Sequence, residues 1–464
     1  MENRVLVERF LKALKKREDY ISALKIFGEG EISEKQYEIL MERVEEMEFS
    51  EKIRVLYAVA RSMKYRSVTF SGVSYDLIEQ KCFGEIQKVL CQNHVAGYHK
   101  KYQIAKEAVK VKLPVRVNWG GGWTDTPPYC NENGGVVLNA SIVLKGEKPI
   151  EVEIKKIPEH RIEFASLDFH AYGKAETVEE IQDCHNPYDS FALHKAALIA
   201  CGVIPLHEKA DLSQILKELG SGFYLSTKVC NVPKGSGLGT SSILSSGCVR
   251  AIGEFLGQHW SESQIYELVL DMEQIMSTGG GWQDQVGGLT PGVKYITSRP
   301  GADQKLKVEY LELDEATRQE LQERFVLVYT GQRRLARNLL REVVGNYIGG
   351  RRESIEALKE MKHLAVLMRF ELEQGNVDAF AELLNRHWEV SKMLDAGSTN
   401  TCIDQIFASC EDMIDGRFIS GAGGGGFLQM ILKKGVTREE LRKRLKQVFE
   451  DSGVDVWETE FIWN

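Results

Sequence analysis

The chain has 464 residues, of which 43% are apolar and 27% charged, values that predict a globular protein of two or three domains. Its formal net charge of -8 argues against a nucleic-acid partner. The first twenty residues are too charged for a signal peptide, and no apolar run approaches the ~20 residues of a membrane helix. The nine cysteines include no CxxC pair, which fits reduced thiols and predicts a soluble cytoplasmic protein without a membrane partner.

The first part of the chain, residues 1–108, is predicted to be a helical appendage. Ser33 and Gln36 form a candidate capping box before one amphipathic run, a second run begins at Ser50, and a third begins near Ser74. This region has few strand signals and no group of residues suited to catalysis. We expect it to be a structural cover over the rest of the protein, and a docking surface for a partner is the alternative.

From Lys112 onward the pattern changes to short strands separated by Gly, Pro and Asn turns, and a helix is predicted over about 261–277. After Leu321 the predicted order is strand, three helices, strand, glycine run, strand, helix and a last strand. This order indicates an α+β fold with one domain over 109–320 and a second over 321–464.

The first glycine-rich loop follows a predicted strand and precedes a predicted helix. Its residues are Pro233, Lys234, Gly235, Ser236, Gly237, Leu238, Gly239, Thr240, Ser241 and Ser242. Glycines let successive N–H groups converge, and a helix N-terminus adds free donors that suit a phosphate. An ordinary strand-to-helix turn with a hydroxyl cap is the alternative, and the absence of a GKS or GKT ending excludes a Walker A loop.

The second glycine-rich loop, Ser420–Phe427, contains the GxGxxG spacing of dinucleotide-binding proteins. A strand follows it where that fingerprint requires a helix, so the dinucleotide interpretation fails. A flexible linker is unusual between two short apolar strands. We therefore expect a close backbone approach to a ligand or to the first loop.

The third glycine-rich segment, Thr278–Gln285, follows the predicted helix that carries Glu273. Asp284 comes directly after glycines that would let a substrate approach. Glu273 lies among apolar residues, where a carboxylate needs a cation or a hydrogen-bond donor. Taken singly, each acid is more typical of a capped or salt-bridged surface residue.

Together these segments resemble the motifs of the GHMP kinase superfamily, which includes galactokinase and the homoserine, mevalonate and phosphomevalonate kinases. The superfamily's ATP loop is similar to Pro233–Ser241, with threonine for the first serine, and its C-terminal glycine motif is similar to Ser420–Phe427. Its magnesium-binding Glu and catalytic Asp correspond to Glu273 and Asp284. The resemblance covers roughly three quarters of the chain, from about Val111 onward.

The N-terminal motif LPVRVNWGGGWTDTPPY is similar to the sugar motif of galactokinase, with Arg116 on the family Arg and Asp125 on the sugar-binding Asp. Gly122 and Trp123 replace a Glu-His pair, which argues against galactose. The motifs are most similar to those of L-fucokinases, in particular the kinase half of the bifunctional fucokinase/GDP-fucose pyrophosphorylases. The resemblance does not extend to a nucleotidyl-transfer half.

The resemblance implies an N-terminal α/β half, a ferredoxin-like C-terminal half, and a site for ATP and Mg²⁺ between them. It implies that the first loop holds the triphosphate, with Lys234 at phosphate or in solvent, and that Ser241 and Glu273 ligate magnesium. Asp284 would be the base for a sugar hydroxyl, and Arg116 would keep it ionised. The remaining residues assigned to substrate are Trp123, Asp125, Thr126, Gly280, Gly281, Gly423 and Gly424.

Three alternatives stay open: a heptose-phosphate kinase of the same superfamily, a catalytically silent sugar sensor, and a scaffold that uses the helical region. The set of proposed catalytic and magnesium-binding residues is complete, which argues against the sensor and the scaffold. These residues are Ser241, Glu273 and Asp284. A substrate phosphate usually meets Arg or Lys, and no such residue occurs over 117–144. The aromatic residues Trp119, Trp123 and Tyr129 occur there instead, and with Trp282 are candidates for packing on a deoxy sugar or for the core.

Overall fold

The computed structural model of the protein shows an α+β fold, as predicted. It describes residues 2–15, 33–91, 102–276, 280–332 and 339–463, apart from 185, 187, 188 and 303. Within these ranges no helix combines the length and the apolar character that crossing a membrane requires.

The helices and strands are numbered in chain order. The helices are α1 Glu2–Lys15, α2 Glu34–Glu45, α3 Phe49–Arg66, α4 Tyr75–Cys91, α5 Tyr129–Asn133, α6 Val178–Gln182, α7 Ala192–Ala200, α8 Leu212–Leu219, α9 Thr240–Phe255, α10 Glu262–Ile275, α11 Gln283–Leu289, α12 Glu315–Arg324, α13 Leu339–Ile348, α14 Arg352–Glu373, α15 Val377–Leu394, α16 Thr401–Ser409 and α17 Arg438–Phe449. The strands are β1 Ala108–Leu113, β2 Val115–Gly120, β3 Val136–Leu144, β4 Ile150–Ile157, β5 Ile162–Ser166, β6 Ala171–Ala175, β7 Gly222–Val229, β8 Val293–Ser298, β9 Leu306–Tyr310, β10 Phe325–Thr330, β11 Ile414–Ile419, β12 Phe427–Leu432, β13 Val454–Trp457 and β14 Thr459–Phe461.

The N-terminal region is helical, as predicted. The capping box is confirmed, because Ser33 accepts from the Gln36 N–H and the Gln36 side chain accepts from the Ser33 N–H. Helix α3 begins one residue before the predicted Ser50. The apolar faces of α1 to α4 form one cluster, and Val344 and Ile348 of α13 belong to it, so this region shares a core with the body of the protein.

Two β-sheets are built mainly from strands in the middle of the described chain. One has the strand order β1-β4-β7-β5-β6, in which only β5 and β7 are parallel. The other has the order β14-β3-β8-β9, with β2 paired to residues 138–142 of β3. Helix α9 packs on β1 and β4 of the first sheet, and α10 packs against α9. The buried residues of both helices join a continuous core with Val152, Leu225 and Ile296. This core fixes the strand ends from which the site residues project.

The C-terminal sheet has the order β11-β12-β10-β13 and is antiparallel throughout. Its β-α-β-β-α-β succession is the ferredoxin-like arrangement that the resemblance implied. The described residues between β10 and β11 form four helices, α13 to α16, so the prediction of three helices was wrong. The additional helix α16 has nine residues and follows the polar segment 398–400, which is typical of a loop in a sequence read by periodicity alone.

The last strand returns to the earlier part of the protein. Thr459, Glu460 and Phe461 of β14 pair with Leu144, Val143 and Ile142 of β3. Strand β14 thus extends the sheet that carries the sugar motif. The predicted domain boundary at residue 321 stays a prediction.

Candidate active site

The first glycine loop connects β7 to helix α9. Gly235, Gly237 and Gly239 have φ angles of 71°, 77° and 73°, a left-handed conformation that glycine adopts without a side-chain penalty. Gly239 is the N-cap of α9 and provides no side-chain hydrogen bond to the first turn. The first N–H groups of this sixteen-residue helix are therefore available to an anion, which the positive end of the helix dipole favours.

The second glycine loop packs directly against the first. A β-carbon on Gly237 would lie 2.2 Å from the Ser420 carbonyl oxygen, and one on Gly421 would lie 2.8 Å from the Gly237 Cα. The Phe427 N–H donates to the Ser236 carbonyl at 3.2 Å. The predicted close approach of the two loops is confirmed, and it is a backbone-to-backbone contact that leaves no room for side chains.

Arg116 and Asp284 form an ion pair beside the first loop. Arg116 is 3% exposed on β2, and its Nε donates to Asp284 Oδ1 at 2.8 Å while Nη2 donates to the same oxygen. Its Nη1 donates to the Gly237 carbonyl at 2.8 Å. Asp284 lies in the first turn of α11, and a β-carbon on Gly239 would come within 2.9 Å of its carboxyl carbon. The structure thus brings together residues from three separate motifs.

A cavity of about 350 Å³ opens at this ion pair. Eight residues predicted for the site line it: Arg116, Trp123, Thr126, Gly237, Gly239, Gly280, Gly281 and Asp284. Sequence reasoning did not find the other side chains around it, which include Asn118, Gln283, Leu340, His387, Ser391, Ser398 and Phe418. We call this space the acceptor cavity.

Asp125, predicted to bind the sugar, lies behind the wall of the acceptor cavity. Its side chain is fully buried, Oδ2 accepts from the Gln283 N–H at 3.0 Å, and Oδ1 accepts from Gln283 Nε2 at 3.3 Å. A β-carbon on Gly281 would lie 2.0 Å from Oδ2. Burial, reinforced by the charge of Asp284, raises the pKa of Asp125 to about 7. In this structure Asp125 reaches the cavity through Gln283.

Gly423 and Gly424 also lie outside the acceptor cavity. The Gly424 N–H donates to the Ser398 carbonyl at 2.8 Å, and a β-carbon on Gly423 would lie 2.4 Å from that same oxygen. Ser398 itself lines the cavity. The two glycines therefore support a wall residue, and their assignment to substrate stays a prediction.

Trp123 is the aromatic residue of the sugar motif that faces the acceptor cavity. It has a φ of 73°, a backbone conformation that is strained for a bulky residue and is found mainly where function requires it. The hydroxyl of the next residue, Thr124, donates to the Gly121 and Val136 carbonyls at 2.7 and 2.8 Å and holds this turn. The other candidates, Trp119, Tyr129 and Trp282, are at most 4% exposed and belong to the apolar core.

His387 on α15 supports the same turn from the C-terminal half. Its Nε2 accepts a hydrogen bond from the Gly121 N–H at 3.1 Å, and its ring packs edge-on against Phe418 at 4.7 Å. Burial lowers the pKa of His387 to about 4, so the ring is neutral near pH 7 and Nε2 keeps its lone pair. No local motif surrounds this histidine, and only the tertiary contact reveals it.

A second cavity, of about 650 Å³, lies on the other side of the first glycine loop. Five loop residues predicted to bind cofactor line it: Pro233, Lys234, Gly235, Thr240 and Ser241. We call it the nucleotide cavity. The Lys234 ammonium lies 3.2 Å from the centre of the Phe169 ring, a side chain that also lines this cavity and is 56% exposed. The first loop, residues 233–242, thus separates the two cavities, and we call it the partition loop.

The predicted magnesium ligands contain oxygen atoms, as Mg²⁺ prefers. Glu273 is 7% exposed, and its Oε1 accepts a hydrogen bond from Ser242 Oγ at 2.8 Å. Ser241, the predicted ligand, lies exposed on the nucleotide cavity. Among the residues that the structure describes, no three His, Cys, Asp or Glu side chains cluster as a metal site. A single carboxylate with hydroxyls still fits Mg²⁺, because substrate phosphates and water supply its other ligands.

The helical region reaches the acceptor site through buried charges. Arg54 of α3 donates from Nη1 and Nη2 to Glu132 Oε1 and Oε2 at 2.8 and 2.7 Å. Glu132 lies on α5, seven residues after Asp125, and also accepts from the hydroxyl of Tyr347 on α13. Because Leu340 of α13 lines the acceptor cavity, Glu132 links α3 to a helix of that cavity through Tyr347.

A family model for the GHMP kinases N terminal domain matches residues 207–290, which contain the first glycine loop, Glu273 and Asp284. Among solved structures, the mevalonate kinase of Methanococcus jannaschii superposes with a TM-score of 0.57 at 19% identity, covering 77% of this chain and 99% of that chain. At this identity the likeness concerns the fold.

Two bifunctional proteins and one shorter kinase are similar in sequence. The chain is 34% identical over 392 residues to the L-fucokinase/L-fucose-1-P guanylyltransferase of Bacteroides fragilis, and 35% identical over 359 residues to the bifunctional fucokinase/GDP-fucose pyrophosphorylase of Arabidopsis thaliana. These alignments cover 83% and 77% of this chain but only 41% and 32% of those proteins, so the chain spans less than half of their length. It is 27% identical over 365 residues to the D-glycero-alpha-D-manno-heptose 7-phosphate kinase of Campylobacter jejuni, covering 76% of this chain and 99% of that protein.

Proposed function

We infer that the chain belongs to the GHMP kinase superfamily, and from this premise we propose that it is an ATP- and magnesium-dependent kinase that converts L-fucose to L-fucose 1-phosphate, a step of fucose salvage toward GDP-fucose. The observation that carries phosphoryl transfer is the Arg116–Asp284 pair, which lies in the acceptor cavity and contacts the partition loop at Gly237. L-fucose as the acceptor is supported by the identity with the two fucokinase-containing proteins.

Asp284 is the proposed general base. Both nitrogens of Arg116 that reach it bind Oδ1, so we assign Oδ2 to the proton of the attacking sugar hydroxyl. An arginine that contacts one carboxylate oxygen fixes the direction of the other. A base held in this way contributes positioning as well as proton transfer, and positioning is the larger demand of phosphoryl transfer.

The partition loop is the proposed cradle for the triphosphate. Its left-handed glycines turn N–H groups toward one side, and the uncapped start of α9 adds further donors. The γ-phosphate would then lie at Gly237 and Gly239, which line the acceptor cavity, while the rest of the nucleotide occupies the larger cavity. Magnesium held near Ser241 and Glu273 would neutralise charge on the phosphate oxygens.

The sugar is proposed to occupy the acceptor cavity against Trp123 and Thr126. Asp125 stays our proposed sugar-motif carboxylate, and its support for the sugar passes through Gln283, whose backbone and side chain it holds. Among the described residues that line this cavity, Arg116 is the only Arg or Lys, and Asp284 already neutralises it. An unphosphorylated sugar fits such a lining better than a sugar phosphate.

A heptose-phosphate kinase is the second candidate, because the Campylobacter jejuni kinase aligns over 99% of its own length. The segment 333–338 contains three arginines and is not among the described residues. The preference for an unphosphorylated sugar comes from the described residues alone. The substrate panel below separates the two candidates.

The test is ADP formation with L-fucose, D-arabinose, galactose and D-glycero-D-manno-heptose 7-phosphate at equal concentrations, with and without magnesium. We expect L-fucose to give the highest kcat/KM and product to require magnesium. The Asp284→Asn protein, purified in the same way, controls for contaminating kinases. A tenfold preference for the heptose phosphate, about 1.4 kcal/mol of transition-state binding, would replace L-fucose as the substrate. Absence of sugar-dependent ADP would contradict the kinase itself.

The cytoplasm is the proposed location. Eight described cysteines are free, and six of them are buried. Such unpaired thiols are typical of proteins kept in a reducing compartment. Expression of a tagged protein, followed by fractionation of its native host, tests this proposal, and recovery in a secreted fraction would contradict it.

A further inference from the structure

The nucleotide cavity contains a buried histidine that the proposed mechanism does not use. His194 on α7 is 2% exposed and lines this cavity together with Asp168 and Phe169. The rings of Phe164 and Phe191 pack around it, each with its centre 5.8 Å from the imidazole centre. The imidazole is therefore held in one orientation by apolar neighbours.

The hydrogen bonds of His194 identify its tautomer. Its Nε2 lies 3.1 Å from the Ala165 carbonyl oxygen and 3.2 Å from the Thr227 hydroxyl. A carbonyl oxygen only accepts, so Nε2 carries the proton and donates it. Burial lowers the pKa of His194 to about 4, so the ring is neutral near pH 7 and Nδ1 has a bare lone pair.

That lone pair has no hydrogen-bond donor among the residues that the structure describes. Asp168 Oδ1, which belongs to another lining residue, is a second buried acceptor in the same condition. A buried acceptor without a donor costs free energy, and most buried acceptors in proteins are paired. This part of the cavity therefore matches a ligand that brings N–H or O–H groups.

The aromatic side of the cavity matches a flat ring. Phe169 is 56% exposed at the cavity, and the Lys234 ammonium covers its face. A base that stacked on Phe169 would displace Lys234 toward the phosphates that the partition loop binds. Stacking on an aromatic face holds any base, so discrimination between purines falls to the polar acceptors.

We propose that His194 Nδ1 accepts a hydrogen bond from the exocyclic amino group of adenine and that His194 makes this kinase selective for ATP over GTP. Adenine carries an amino group at C6, whereas guanine and hypoxanthine carry a carbonyl oxygen there. That oxygen would face the lone pair of Nδ1 and leave this acceptor unpaired. The inference rests on the proposed function for the identity of the cosubstrate, and it concerns the base rather than the sugar.

The first experiment measures equilibrium binding of ATP, ITP, GTP and purine riboside triphosphate to the full chain in the absence of sugar. Purine riboside triphosphate has hydrogen at C6 and so lacks only the donor. We expect the Kd of purine riboside triphosphate to be about tenfold higher than the Kd of ATP. The Kd values of ITP and GTP should be about thirtyfold higher than that of ATP. Equal binding of ATP and purine riboside triphosphate would overturn the proposal without any variant.

The second experiment uses His194→Gln, whose amide nitrogen replaces the Nε2 donor to Ala165 while the Nδ1 acceptor is removed. We expect ATP binding to weaken about tenfold and binding of purine riboside triphosphate to change less than twofold. Thr227→Val is the matched control, because it removes the other neighbour of Nε2 and should leave the preference intact. An equal loss for all four nucleotides in His194→Gln would assign His194 a structural role.

These outcomes separate the inference from the proposed function. If no sugar is phosphorylated but ATP binding depends on His194 as described, the sugar kinase assignment fails and the base selectivity stands. If L-fucose is phosphorylated with ATP and purine riboside triphosphate equally well, the kinase stands and the role of His194 is refuted.

Discussion

The partition loop and the helical N-terminal region both support the acceptor cavity, but they do so through different kinds of contact. The loop acts through backbone, because Gly237 and Gly421 touch main-chain atoms of each other's loops and would clash if they carried a β-carbon. The helical region acts through side chains, because Arg54 reaches Glu132 and α3 packs on α13. Backbone contacts constrain residue type along the sequence, whereas side-chain contacts between distant helices leave no local pattern.

The largest effect should come from the charged pair that the partition loop contacts. Asp284→Asn should lower kcat about 10²–10⁴-fold, the usual scale for a lost general base, while ATP still binds. The comparison variant is Asp76→Asn, which changes an exposed aspartate in the first turn of another helix and should leave kcat unchanged. Turnover of Asp284→Asn within threefold of the wild type would remove Asp284 from the role of base.

The next effect tests the backbone contact itself. Gly237→Ala places a β-carbon 2.2 Å from the Ser420 carbonyl, so the two loops must separate, and a displacement of about 1 Å at a reacting centre costs on the order of 10²-fold in kcat/KM. Gly146→Ala is the matched control, since Gly146 has a φ of 74° and no atom within 4 Å of its added β-carbon. Similar kcat/KM for both variants would show that loop contact is unimportant.

A smaller effect separates the hydroxyls at the start of α9. Glu273→Gln and Ser241→Ala should each raise the magnesium concentration for half-maximal rate about three- to tenfold, because each removes a proposed oxygen ligand. Ser242→Ala, which removes the hydroxyl bonded to Glu273, should raise it less. Magnesium titration at fixed ATP measures all three. A larger shift in Ser242→Ala than in Ser241→Ala would move the proposed ligand by one residue.

The smallest effect on turnover, with a larger effect on stability, is expected in the helical region. Arg54→Met leaves Glu132 largely buried without its guanidinium, which should lower the free energy of unfolding by about 3 kcal/mol and raise KM for the sugar a few fold with little change in kcat. Arg43→Met breaks an exposed pair with Glu8 and should cost less than about 1 kcal/mol. Chemical denaturation and sugar titration measure both variants. An Arg54→Met protein as stable as Arg43→Met would contradict the support assigned to α3.

The same pair gives a pH dependence with a defined sign. Burial of Glu132 opposes its ionisation, but the hydrogen bond and charge of Arg54 outweigh this, and the pKa of Glu132 lies below its ordinary value of 4.5. The folded carboxylate therefore releases its proton more readily than the unfolded one. Its contribution to stability is complete above about pH 4.5 and is lost as the pH falls through the lower folded pKa. In Arg54→Met, this loss of stability at acid pH should disappear.

Neighbouring residues of the sugar motif differ in whether they line the cavity that was predicted for them. Arg116, Trp123 and Thr126 were predicted for the site and line the acceptor cavity, whereas Asp125, between them, is covered by Gly281 and faces Gln283. Alternation within a turn decides which side chains point to solvent, and a motif gives residue types without that direction. For the same reason, only burial distinguishes Trp123, which lines the cavity, from Trp119 and Trp282, which lie in the core.

By itself, the sequence determined the α+β fold, the helical appendage and the place of the glycine loops 233–242 and 420–427, because residue type there follows from local geometry such as a left-handed turn or a helix cap. The roles of Glu273 and Asp284 come from the family resemblance and stay predictions. Tertiary structure decided the rest. It placed His387, Ser391 and Ser398 in the acceptor cavity, put Ser242 rather than Ser241 on Glu273, and joined Arg54 to Glu132 across 78 positions. These contacts depend on how whole helices pack, and a packing contact between distant residues imposes no periodicity or spacing on either segment.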